Sequence, residues 1–248
     1  MGEKRVAPGS DASNLRSFTR AVLNDLHALE KMLANGSMEA NARRIGAEQE
    51  IFLIDSSMHP APLAVEVMEA AGDTRLTTEI GKFNLEANLT PRELGGNALR
   101  EMEHELEDVL LVVRQTMARF FGDALLCGIL PTIQKSDLVE RNLTPGPRYA
   151  ELNRILTALH GSDRIVHIKG LDELRLHLAD TYIEFCNTSF QVHLQVAPHH
   201  FVKQYNIAMA IAAPVLAIAS NAPFLFGKRL WSETRIALFQ QSVDTRVI

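Results

Sequence analysis

From Asn14 onward the apolar residues Leu15, Phe18, Val22, Leu26, Leu29 and Leu33 recur at spacings of three and four. This predicts an amphipathic helix that starts at a Ser13 or Asn14 cap and stops at Asn35-Gly36. Its single stripe predicts packing onto the main body, whereas the first ten or so residues carry no such pattern and are expected to be disordered. A strand is predicted over Ile45 to Ile54, then a short helix over roughly Ala64 to Ala71. From Lys82 the chain alternates, with Phe83, Leu85, Ala87 and Leu89 on one face and Asn84, Glu86, Asn88 and Thr90 on the other. Leu99, Met102, Leu106, Val109, Val113, Met117 and Phe120 mark a strong helix that Asn97 can cap. The stretch "DALLCGILP" reads as a buried strand, "LTPGPRYAELNRILTALHG" as a loop and helix, and "RIVHIKG" as a short strand. Strict alternation returns at Phe190 to Val196, with Gln191, His193 and Gln195 on the polar side. The run Phe201 to Ala219 reads as a buried helix kinked or interrupted at Pro214. Strands mixed irregularly with helices predict an α+β fold around a mainly antiparallel curved sheet flanked by helices.

The polar faces of three strands change this picture. Glu48 and Glu50 stand two apart in "RRIGAEQEIFLID", so an extended chain points both to one side, roughly 7 Å apart. Asn84 and Glu86 occupy a second polar face, and Gln191 and His193 a third. Glu79 is one residue out of phase with Glu86 and joins them only if the chain bulges or turns near Gly81. Carboxylates brought together this way are costly without compensating cations. A set of carboxylate and amide oxygens selects hard ions, Mg²⁺ or Mn²⁺, over zinc. Such ions commonly hold phosphate groups, and with no P-loop and no GxGxxG in the chain a nucleotide would be held mainly through metals and side chains.

Composition narrows the classes. The 248 residues are 46% hydrophobic and 22% charged, which fits an ordinary globular chain with room for a sizeable core. The net charge of −5 argues against nucleic-acid binding. Two cysteines, Cys127 and Cys186, in apolar contexts point to core thiols in a reducing cytoplasm rather than to a disulfide scaffold. The first residues have no apolar core and so read as no signal peptide. The most apolar run, Ile207 to Ala219, is too short for a membrane span and contains Pro214.

The segments "IGAEQEIFLID", "TTEIGKFNLEANLTP", "CNTSFQVHLQVAP" and "SNAPFLFGKRLWSETRIALFQ" occur in the order and texture of the glutamate–cysteine ligases of the GCS2 type. These are carboxylate–amine ligases of the glutamine synthetase and guanido kinase superfamily. The resemblance covers 43–248 and leaves 1–42 as a disordered start plus an added helix. It implies an ATP-dependent ligase in which the γ-carboxylate of glutamate attacks the γ-phosphoryl group of ATP. The amine of cysteine then displaces phosphate to give γ-glutamylcysteine, on the way to glutathione. It also implies that Glu48, Glu50, Glu79 and Glu86 serve as metal ligands for Mg²⁺ or Mn²⁺, and that His193 is a further metal ligand or a catalytic phosphate contact, with Gln191 and Asn84 as helpers.

Arg229, Arg235 and Arg246 are candidates to clamp the substrate carboxylate or the phosphoryl group, since a guanidinium binds either bidentately. Arg235 is preferred as the catalytic one and Arg229 as a cofactor contact. Arg148 and Tyr149 open a helix after "TPGP" and could also reach a ligand. Expected partners are glutamate, cysteine or another amine, and ATP, with no nucleic acid and no membrane. Family members usually continue past this point with further strands and nucleotide contacts, so an incomplete nucleotide site is expected. A non-catalytic metal- and glutamate-binding module, or a ligase for a different amine, therefore stays open.

Overall fold

The computed structural model describes residues 12–160, 164–178 and 182–243. The expected disorder of the first ten residues and the candidate Arg246 lie outside them. Helices are α1 (Ala12–Ala34), α2 (Ala64–Ala71), α3 (Ala98–Ala118), α4 (Pro147–His160), α5 (Phe201–Ala219) and α6 (Thr234–Val243). Strands are β1 (Arg44–Asp55), β2 (Leu76–Thr78), β3 (Asn84–Asn88), β4 (Arg92–Glu93), β5 (Gly122–Leu125), β6 (Arg164–Lys169), β7 (Glu173–Leu178), β8 (Phe190–Leu194), β9 (Phe224–Leu225) and β10 (Lys228–Arg229). The fold is α+β, with a six-stranded antiparallel sheet flanked by helices.

The long strand β1 organises that sheet. Along one side it pairs with β3 and β4, and along the other with β5 near its end and β8 near its start. Strand β2 pairs outside β3. Alternation along β1 sends its side chains to two cores. Ile51 and Leu53, with Leu85 and Ala87 of β3, pack under α2 and α3. Phe52 and Ile54 face the opposite way, into a larger core with Phe83, Ile129, Phe185, the β6–β7 hairpin and α6. Residues Ile51 to Ile54 are all essentially buried, so this half of β1 is covered on both faces.

Four expectations are corrected. Helix α1 begins at Ala12, ahead of the expected caps, and its apolar stripe does not pack onto the body: residues 14–34 are exposed throughout. In "DALLCGILP" only Gly122–Leu125 forms a strand; Ile129 and Leu130 are buried from a loop whose backbone follows no ladder. Strand β7 went unread, although Leu174, Leu176 and Leu178 alternate inward against β6. Helix α5 runs unbroken through Pro214 and buries none of its residues. With the turn before it, Pro198–Ala219 is long and apolar enough to cross a membrane, by length and composition. Asn97 does sit at the start of α3, but its side chain makes no capping hydrogen bond.

Candidate functional site

The sheet register puts the acidic residues side by side. Glu50 lies opposite Glu86, and Glu48 lies opposite Asn88 on one side and Gln191 on the other. Gly46 lies opposite His193. All these side chains share the face that carries Phe52 and Ile54 further along β1, so one face changes from core to carboxylate partway down a single strand.

Glu79 reaches the cluster by a turn. Strands β2 and β3 form an antiparallel pair with Thr77 opposite Glu86, and the chain reverses through Ile80 to Phe83 between them. Gly81 makes that reversal possible. A Cβ there would sit 2.6 Å from Asn84 Oδ1 and 3.2 Å from Phe185 Cβ, too close for either to accept without moving. The result is that Glu50, Glu79 and Glu86 each place a carboxylate oxygen within 4.8 Å of the others.

Three carboxylates at this spacing cannot all ionise cheaply. Burial, followed by repulsion from Glu50 and Glu86, pushes the Glu79 carboxyl up to about 8. Burial also raises Glu50, against hydrogen bonds from Ser189 that favour its ionised form. The Ser189 backbone N–H and hydroxyl each donate to Glu50 at 2.9 Å, and Gln191 Nε2 donates at 3.4 Å. Asn88 Nδ2 donates to Glu86 Oε1 at 2.9 Å. Serine 189 is a residue that the sequence pattern did not single out; it precedes the alternating stretch and reveals itself only through the β1–β8 register.

Glu48 stands apart from the triad and faces His193, with Nε2 3.8 Å from its Oε2. It lies on the divide between two clefts. One, of ≈ 320 Å³, is lined by all four glutamates together with Thr77, Thr78, Arg148, Tyr149 and Gln191. The other, of ≈ 470 Å³, is lined by Arg44, Glu48, Asn88, His193 and Gln195 among others. Among the described residues, Arg148 is the only cation lining the acidic cleft. It opens α4 beside Tyr149, whose hydroxyl donates to the Thr78 carbonyl at 2.9 Å and so ties that helix start to β2.

The remaining candidates sit elsewhere. Asn84 lies on the same face of β3 as Glu86 but is 3% exposed, and among the described residues neither its amide nitrogen nor its oxygen has a partner. Arg229 is exposed on the β9–β10 hairpin, where its backbone N–H donates to Asp172, and it lines neither cleft. The guanidinium of Arg235 grips the Glu233 carboxylate through Nε and Nη2, at 2.5 and 2.9 Å, and donates to the Thr188 carbonyl at 2.5 Å. It packs over Gly128, where a Cβ would lie 2.5 Å from its Nε. Thr188 precedes Ser189, so Arg235 holds the segment that presents Ser189 to Glu50 rather than lining the cleft itself.

The donor set suits a hard divalent ion. Three close carboxylates, one of them protonated for want of a counter-charge, leave a place that oxygen-seeking Mg²⁺ or Mn²⁺ fits better than softer metals. The sequence model of glutamate-cysteine ligase family 2 (GCS2) matches residues 44–247. No curated protein matches the chain.

Proposed function

Since the chain belongs to glutamate-cysteine ligase family 2, a family of carboxylate–amine ligases, we propose that its acidic cleft joins the side-chain carboxylate of glutamate to the amine of cysteine at the expense of ATP. The observation that carries this reading is the Glu50–Glu79–Glu86 triad, three oxygens within 4.8 Å of one another with one arginine on the rim of the same cleft. Bound Mg²⁺ or Mn²⁺ would offset the negative charge that otherwise keeps an anionic oxygen from approaching a phosphoryl group.

The chain's own residues have distinct parts in this reading. Glu50, Glu79 and Glu86 would hold the ion, and the raised Glu79 carboxyl would have to release its proton to serve as a ligand. Ser189, Gln191 and Asn88 fix the rotamers of Glu50 and Glu86, so that the donor geometry exists before any ligand binds. Arg148 faces the cleft from the first turn of α4, where a guanidinium suits a substrate carboxylate or phosphoryl oxygen. The Glu48–His193 pair lies between the clefts, where a carboxylate–imidazole pair can take up the proton that the attacking amine must lose.

The test supplies ATP, Mg²⁺ and glutamate, then a panel of amino acids and amines, and follows phosphate release. Release that needs glutamate and rises with cysteine supports the reading, and a different best amine redirects it to another acceptor. Turnover that persists in the Glu48→Gln/Glu50→Gln double variant removes the site from the mechanism. Binding of Mg²⁺ and glutamate without turnover identifies a binding module instead.

A further inference from the structure

On β3 the run Asn84-Leu85-Glu86-Ala87-Asn88 puts an asparagine on each side of Glu86, all three on one face of the strand. Residues two apart on a strand lie roughly 7 Å apart, so each carboxamide has the same reach to the carboxylate between them. Asn88 uses that reach, its Nδ2 donating to Glu86 Oε1 at 2.9 Å. Asn84 does not: among the described residues its Nδ2 and Oδ1 have no partner, and the side chain is 3% exposed. The seal over it is made by the chain's own core. Phe52 lies opposite Asn84 on β1. Gly81 comes so close that a Cβ there would meet Asn84 Oδ1 at 2.6 Å and Phe185 at 3.2 Å.

A buried amide without a partner is costly, whereas an apolar group of the same shape is not. Phe52 and Phe185 are themselves fully buried, so a leucine would suit this corner better than an asparagine. The stability of the ion-free fold therefore does not account for the amide. A bound ion does, because a carboxylate that ligates a metal is held in place by hydrogen bonds to its remaining lone pairs. We propose that Asn84 is a positioning residue for Glu86, its carboxamide N–H donating to the Glu86 carboxylate when that carboxylate ligates a divalent ion. This role rests on the reading of the acidic cleft as an ion site. Asn84 lines neither cleft and acts through Glu86 alone. The two asparagines then clamp Glu86 from both directions along the strand. A hydrogen bond formed only with the ion adds to affinity, whereas one present in both states, such as that from Asn88, adds little.

Asn84→Leu removes the amide and keeps the volume. Without metal its urea midpoint should equal or exceed that of wild type, while Mn²⁺ affinity, read by calorimetry, should fall at least about tenfold. Asn88→Leu breaks a hydrogen bond already present, so it should lower the midpoint and weaken Mn²⁺ less. A purely structural asparagine gives the reverse for Asn84→Leu, a lower midpoint with Mn²⁺ affinity unchanged, and that result overturns the proposal. The wild-type chain supplies a second reading that needs no variant. Adding Mg²⁺ should move the Asn84 side-chain NH₂ resonances downfield, and resonances that stay in place with the ion bound overturn the role. A wild-type chain that binds neither Mn²⁺ nor Mg²⁺ overturns the ion site itself, and this role with it. Mn²⁺ bound equally well by wild type and Asn84→Leu overturns the role and leaves the ion site standing.

Discussion

Arg235 illustrates how a side chain's role follows from what it touches. Its guanidinium is one-fifth exposed and its partner Glu233 is 7% exposed, so each relies on the other for compensation. Removing one member of such a pair strands the other as an uncompensated buried charge, at a cost of about 3–5 kcal/mol. Arg235→Ala should therefore lower the urea midpoint substantially, and adding Glu233→Ala should recover part of the loss. Arg229→Ala, on an exposed hairpin, should leave the midpoint unchanged. If Arg235→Ala abolishes turnover while the midpoint stays put, the residue acts on substrate directly. The sequence shows Arg235 in the right family segment, but not that Glu233, two residues earlier, occupies its guanidinium. Asn84 carries the same lesson: alternation places it correctly on the acidic face, and nothing in the pattern says that it is sealed off. Glu48 and Glu50 were legible because their spacing of two is the strand repeat itself.

At the scale of elements, the turn between β2 and β3 decides whether there is a triad or only a pair. Gly81→Ala forces a methyl to within 2.6 Å of Asn84 Oδ1 and 3.2 Å of Phe185. The reversal must open to admit it, and Glu79 moves with the turn. The expected cost is about 1–3 kcal/mol in stability together with roughly a tenfold loss in Mn²⁺ affinity, read by calorimetry. Mn²⁺ binding that survives unchanged would show that Glu79 is dispensable. Elements with one clean period were legible: α2 and α3 lie where the apolar spacing predicts, and β8 where strict alternation predicts. What misled was burial. The stripe of α1 and the uniform apolarity of α5 both predict cover, and a periodic pattern does not say which molecule provides it. Strand β7 carries the same alternation as β8, with Leu174, Leu176 and Leu178 inward between Glu173, Arg175 and His177, so it was legible by the same rule.

For the whole molecule, the triad links stability to pH. The Glu79 carboxyl titrates at about 8 in the fold and near 4.5 when unfolded. Between those values the folded chain holds a proton that the unfolded chain has released. Unfolding then sheds a proton, so metal-free stability falls as pH rises from 4.5 to about 8 and levels off above. Glu79 alone contributes up to about 1.4 kcal/mol per pH unit within that window. Urea unfolding at about pH 5.5, 7 and 8.5 should show the decline, Glu79→Gln should flatten it, and Mn²⁺ should offset it most at the highest pH. A wild-type profile as flat as the variant's would mean that the three carboxylates do not share a site.

The two-sided cover on β1 has a consequence for timing. Ile51 to Ile54 are enclosed by both cores, and Glu50 is the next residue along the same strand. Amide hydrogens in such a segment exchange with solvent only when the whole domain opens. The backbone positions that carry Glu50 and Glu86 therefore cannot move apart on the schedule of a loop, and relief of their repulsion is left to side-chain rotation, a proton or a cation. Deuterium uptake along β1 is the clock of the site.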